Sequence, residues 1–331
     1  MSSPGWSRRA VLGALGSSLL VRPALAGPTS SAGVALGLFA SAPDWDYRPL
    51  LDEIVALGAP RILLVVPHYQ DSVRAVKIGP RPGFSPDRST VDRTLAAARN
   101  RGLQVALMPL VRLTRRTPTE WRGVIAPKDV DRWFRAWTAF VCDLGGLARA
   151  HRAGRLVVGT EFASLEVHRD RWAAHIRAVR DVFPGRLLYS ANWDHHRDVP
   201  FWDLVDEIGI TGYFRLCPPG STLDAAGAAR IWRDLLPRLH AFADGKGKPL
   251  VLTEIGWPAL ATAASHPWDD TYAAPPDPEL PAELWRGFLQ ARESVGRESA
   301  FYAWNWFGVG AGETGFGLRG MPAAQVVKGA F

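Results

Sequence analysis

A chain of 331 residues with 47% hydrophobic content can build one large core or two ordinary ones, and α/β barrels commonly reach this size as one domain. The formal charge of +7 comes partly from Arg8, Arg9 and Arg22 near the N-terminus, and the remaining basic residues are interspersed with acids. That distribution argues against a nucleic-acid-binding surface.

The first 26 residues read as a leader rather than as part of the fold. Ser7-Arg8-Arg9-Ala10-Val11-Leu12-Gly13 resembles a twin-arginine export signal, and Ala24-Leu25-Ala26 offers a small-residue cleavage site. The apolar run between them, Ala10 to Val21, is too short for a permanent transmembrane helix, so no stable membrane anchor is expected. The expected mature chain starts near Gly27 and works in the periplasm or outside the cell. The two cysteines, Cys142 and Cys217, form no metal-binding spacing, and the sequence leaves open whether they pair.

From Val34 onward strand and helix alternate. Strands are expected at Val34–Phe39, Arg61–Val66, Gln104–Leu110, a fourth ending in Glu161, Leu187–Ala191, Glu207–Gly212, a seventh ending in Glu254, and Ala300–Ala303. Helices are expected at Tyr47–Leu57, Thr90–Arg101, Pro127–Ala150, Arg169–Phe183, Ala225–Ala243 and Pro281–Ser294. Eight repeats of this kind predict an α/β fold, a single (β/α)8 TIM barrel over residues 27–331. A doubly wound open sheet is the competing architecture. Its Gly-rich nucleotide turn is absent after the first strand, where Gly33 and Gly37 do not make the fingerprint.

A barrel places its chemistry at the carboxyl ends of its strands. Taken in order those ends supply His68, Pro109, Glu161, Asn192, Tyr213, Glu254 and Trp304, where an ordinary core would be aliphatic. Two stretches share one design: Leu156-Val157-Val158-Gly159-Thr160-Glu161 and Leu250-Val251-Leu252-Thr253-Glu254 each run as an apolar strand to a Thr and then a Glu. Two carboxyls roughly 5–5.5 Å apart are what retaining cleavage of a glycosidic bond requires. No metal or other cofactor enters this chemistry, and the adjacent residues of Asp194-His195-His196 read as a solvated loop. The 14 tryptophans, many more than a core requires, also suit stacking on sugar faces.

The series Trp121-Arg122-Gly123, Gly159-Thr160-Glu161, Tyr189-Ser190-Ala191-Asn192-Trp193, Phe201-Trp202-Asp203, Gly209-Ile210-Thr211-Gly212-Tyr213-Phe214, Thr253-Glu254-Ile255-Gly256-Trp257, Pro267-Trp268 and Trp304-Asn305-Trp306 resembles glycoside hydrolase family 113. That is a clan A barrel family whose characterised members act on β-mannan and manno-oligosaccharides. The resemblance implies that Glu161 is the acid/base, with a raised pKa, and that Glu254 is the nucleophile, kept ionised and oriented by Tyr213. It implies Trp304 as the floor under the sugar, and adds Asn192, His68, Arg122 and Trp257 as substrate-binding candidates. Trp193, Trp202 and Trp232 are read as packing residues, and Glu166 as the acid that starts the following helix. Thr160 before the acid/base, where many clan members carry Asn, and the apolar third-strand end Met108-Pro109-Leu110 depart from the pattern and bear on mannan specificity. The second expectation is therefore a carbohydrate-binding barrel with little turnover.

Overall fold

A computed structural model describes residues 1, 31–297, 299–307 and 314–331; the expected leader, after its first residue, lies outside them. Eight parallel strands close into a barrel in chain order: β1 (Ala32–Gly37), β2 (Arg61–Gln70), β3 (Gln104–Leu113), β4 (Arg155–Thr160), β5 (Arg186–Ala191), β6 (Glu207–Thr211), β7 (Leu250–Ile255) and β8 (Ala300–Ala303). The helices are α1 (Arg48–Leu57), α2 (Arg88–Asn100), α3 (Val130–Ala150), α4 (Arg169–Val182), α5 (Ala225–Gly245), α6 (Leu280–Val295) and α7 (Pro322–Lys328). The barrel closes through Ala32↔Phe301, Gly33↔Tyr302 and Val34↔Ala303. Among the described residues no helix is long and apolar enough to cross a membrane.

Local chemistry sets the helix ends. Asp87, Asp129 and Asp224 each turn a carboxylate onto an amide of the first turn, at 2.6, 2.9 and 2.7 Å. Each such cap contributes about 1 kcal/mol by satisfying a donor the helix leaves open. α1 ends on Gly58 at φ +93°, a left-handed residue that a side chain would strain.

Side-chain alternation divides the core in two. Inside the barrel pack Ala35, Leu63, Val65, Ala106, Met108, Leu110, Val157, Leu188, Val251, Ala300 and Tyr302. Their strand neighbours face outward to the helices. There Trp133, Trp137, Trp172, Trp232 and Trp285 are all fully buried, so much of the tryptophan excess is helix-to-sheet packing. At the amino-terminal end of the barrel Glu207 is 1% exposed and takes Arg155 through two hydrogen bonds, at 2.7 and 3.0 Å, and Arg186 at 2.8 Å. This ties β4, β5 and β6 together beneath the core.

Two differences from the expected elements matter, and the open question of cysteine pairing has an answer. β2 and β3 run on to Gln70 and Leu113, four and three residues past the expected ends. α7 follows β8 and is not among the expected helices. Both cysteines are free thiols.

Candidate active site

The carboxyl ends of the strands form the mouth of the barrel, and ladder irregularities there re-aim its side chains. The register shifts between Val157 and Gly159 on β4, between Ile210 and Thr211 on β6, and between Leu252 and Ile255 on β7–β8. Such shifts bend a strand and redirect the side chains beyond the bend. Glu161 directly follows β4 with φ +54°, a left-handed conformation that costs a glutamate on the order of 1–3 kcal/mol and is characteristic of functional sites. Its amide is held by the Ser190 carbonyl at 2.8 Å.

Four groups meet at this mouth. Arg122, from the loop after β3, places its Nη2 2.6 Å from Glu161 Oε2. Tyr213, just beyond β6, donates its hydroxyl to Glu254 Oε2 at 3.0 Å. Glu161 is 4% exposed and Glu254 1%. Burial, then the neighbouring Glu161 charge, lifts the Glu254 carboxyl to about 7, although Arg122 and the Tyr213 hydroxyl pull it down. Burial works against the Arg122 cation, but Glu161 and Glu254 outweigh it and hold the guanidinium above its ordinary value. Burial and both carboxylates push Tyr213 well above its usual range, so it stays a donor. The sequence expectation of a readily ionised Glu254 therefore meets a carboxyl that burial lifts, while Glu161 is the carboxyl in contact with Arg122.

Trp304, directly after β8, packs on the inner core, as does Phe39. The carbonyl of Trp304 lies 2.5 Å from where a Cβ on Gly256 would stand, so only glycine admits this approach after β7. Phe316 lies edge-on to Tyr213 at 5.5 Å. Buried polar atoms without a hydrogen-bond partner gather here: Glu254 Oε1, Arg122 Nε and Thr160 Oγ1. A buried unmet donor or acceptor costs about 1–3 kcal/mol, so a polyhydroxylated ligand that engaged these atoms would be favoured.

The sequence profile of Glycoside Hydrolase Family 113 matches residues 46–309. The chain belongs to this family. Among curated protein sequences none matches it. Solved structures similar to it include a family 113 β-1,4-mannanase complex, at 20% identity and TM-score 0.79 over 91% of this chain and 98% of the other. The β-mannanase of Alicyclobacillus acidocaldarius matches at 22% identity and TM-score 0.77, covering 90% and 96%. An endoglucanase of Thermotoga maritima matches at 11% identity and TM-score 0.57, covering 90% and 96%. These likenesses bear on the barrel; the family profile makes the chain a glycoside hydrolase.

The family 113 hydrolase departs from the sequence reading at two candidate site residues. His68 does not reach the mouth. It shares the outward face of β2 with Ile62, Leu64 and Val66, and stacks on Phe140 of α3 at 3.6 Å and 9°. Burial there pulls its imidazole down to about 4. It lines a largely apolar cavity of about 400 Å³ between β2, α2 and α3. Trp257 is likewise packing, 3% exposed and edge-on to Trp232 and Trp285 in the helix layer. Asn192 stays at the mouth end of β5, donating to Asp194 at 2.7 Å and accepting from Thr211 at 3.4 Å.

Of the remaining residues, Trp202 and Trp232 pack as expected, Trp193 packs against the core but reaches further out, and Glu166 differs. Trp193 is half-buried and stacks on Trp268 at 5.4 Å on the rim, whereas Trp202 and Trp232 are core. His196 is tied to the Trp193 carbonyl, and among the described residues no group of three or more His, Cys, Asp or Glu could hold a metal ion. Glu166 does not start a helix. It is buried, bonded to Tyr189, and lifted to about 7 by burial. Its five-residue separation from Glu161 is visible in the sequence; its burial is not.

Proposed function

We propose that this hydrolase cleaves β-mannan or related β-linked oligosaccharides with retention of anomeric configuration, through two glutamates. The observation that carries the reading is that two buried carboxyls, delivered at the ends of β4 and β7, act together on one guanidinium, which contacts Glu161 at 2.6 Å and feels the charge of both. In the first step Glu254 attacks the anomeric carbon while Glu161 gives its proton to the departing glycosidic oxygen, breaking that bond and leaving a glycosyl ester on Glu254. In the second step Glu161 takes a proton from water, whose oxygen displaces Glu254 and restores both groups.

The acid step needs a proton on Glu161 when sugar is bound. Arg122 occupies Glu161 Oε2 at 2.6 Å, so substrate has to loosen that contact as its leaving oxygen arrives. Tyr213 favours the ionised nucleophile by donating to it. The leader sequence supports action outside the cytoplasm, and replacing Arg8 and Arg9 together by lysine is expected to leave the protein unexported.

Purified mature protein incubated with defined β-1,4-manno- and gluco-oligosaccharides, with product anomers followed by NMR, tests the assignment. The first product is expected in the β configuration. Glu254→Gln is expected to lose turnover by at least about 10³-fold while retaining the fold and oligosaccharide binding. A Glu254→Gln variant as active as the parent would end the proposal. The Arg122–Glu161 contact favours one alternative, a carbohydrate-binding barrel with little or no turnover, because the guanidinium occupies the oxygen that would serve the leaving group; tight binding without cleavage by the unmodified chain would select it.

A further inference from the structure

Glu166 is a buried carboxyl that the two-glutamate reaction does not use. It is 3% exposed, and its Oε1 accepts the Tyr189 hydroxyl proton at 2.7 Å. The same Tyr189 oxygen accepts the Phe162 N–H at 2.9 Å. Phe162 directly follows Glu161, so this bond grips the peptide leaving the residue at φ +54°. A phenol has one proton and free lone pairs. With Glu166 taking the proton, the lone pair that remains is aimed at the amide. The Tyr189 ring is itself fixed, edge-on to Trp172 at 5.2 Å and to Phe201 at 5.0 Å. Gly159 makes room for this arrangement: a Cβ there would stand 2.7 Å from Trp172 Cη2 and 3.0 Å from Tyr189 Cε2.

We propose that Tyr189 and Glu166 are positioning residues for the acid/base, holding the Glu161–Phe162 peptide so that the Glu161 carboxyl faces the glycosidic oxygen. The proposal rests on the two-glutamate reading above. The Tyr189 ring lies on the helix-facing side of the barrel among buried core residues, and Glu166 meets it there, so both act through Glu161. A role confined to stability would slow every substrate alike. A role in placing a proton donor matters only where the leaving group needs that proton.

The test is Tyr189→Phe in the full chain, assayed on two β-mannosides that differ only in leaving group, one a sugar and one a dinitrophenolate. For the sugar leaving group kcat/KM is expected to fall about tenfold to a hundredfold; for dinitrophenolate it is expected to stay within about threefold. Glu166→Leu should show the same split, and the double variant should cost no more than the larger single change. Equal losses on both substrates, or additive losses, would overturn the proposal. Amide hydrogen exchange supplies a readout that needs no turnover. In Tyr189→Phe the Phe162 amide is expected to exchange about tenfold faster or more, and an unchanged rate would overturn the proposal. If the unmodified chain cleaved neither mannoside, the two-glutamate reading would fall, and the exchange rate would still decide whether Tyr189 holds that peptide.

Discussion

At the scale of single residues, Arg122 decides how the two carboxyls divide their charge. Its cation lowers the Glu254 carboxyl, against burial and the Glu161 charge that raise it to about 7. The active pair carries one proton, so activity is expected to fall on the alkaline side as that proton leaves near pH 7. Arg122→Gln removes a charge that favours its loss, and the alkaline limb of kcat/KM should then move upward by about 1–3 pH units. A limb that stays in place would mean that Arg122 does not govern the pair. Sequence alone points to both glutamates, Tyr213 and Trp304, because each ends a strand. It cannot pair Arg122 with Glu161, since the guanidinium comes from a loop 39 residues upstream whose path the sequence leaves unspecified. Nor can it separate Glu166 from an ordinary helix-start acid, because only burial beside Tyr189 distinguishes the two.

At the scale of elements, the alternation of strand and helix is legible because apolar runs and caps mark it, whereas the facing of each strand is not. A strand buried on both faces reads as a continuous apolar run, and nothing in Arg61-Ile62-Leu63-Leu64-Val65-Val66 says which parity looks inward. That is why His68 resembles a site residue in the sequence. The placement of His68 against Phe140 predicts that His68→Phe keeps kcat/KM within about twofold, since the ring is outside the mouth; a loss beyond tenfold would bring His68 back to the sugar. Gly256 makes the opposite prediction. Gly256→Ala sets a methyl against the Trp304 carbonyl and should displace Trp304, the proposed sugar floor, lowering kcat/KM on oligosaccharides about tenfold or more while costing about 1–3 kcal/mol of stability.

For the whole molecule, buried acids tie stability to pH. Glu166 titrates near 4.5 when exposed and near 7 when folded. Between those values the unfolded chain releases its proton while the folded chain keeps it, so the contribution is fully present below 4.5 and declines as pH rises toward 7. Glu166→Gln should therefore gain on the parent by about 1 kcal/mol per pH unit across that window in urea unfolding, and match its pH dependence below it. A constant difference across the window would mean that Glu166 is ionised throughout.

The three residue pairs that join β1 to β8 bring together the first and last strands of the barrel, and Trp304 directly follows the later of them. On the proposed mechanism catalysis would wait for the final strand to dock, after Glu161 behind β4 and Glu254 on β7 already exist in the growing polypeptide. A nascent or clipped polypeptide lacking its last thirty or so residues would carry both reactive groups yet remain inert. Turnover in this protein is thus a gauge of ring closure as well as of chemistry.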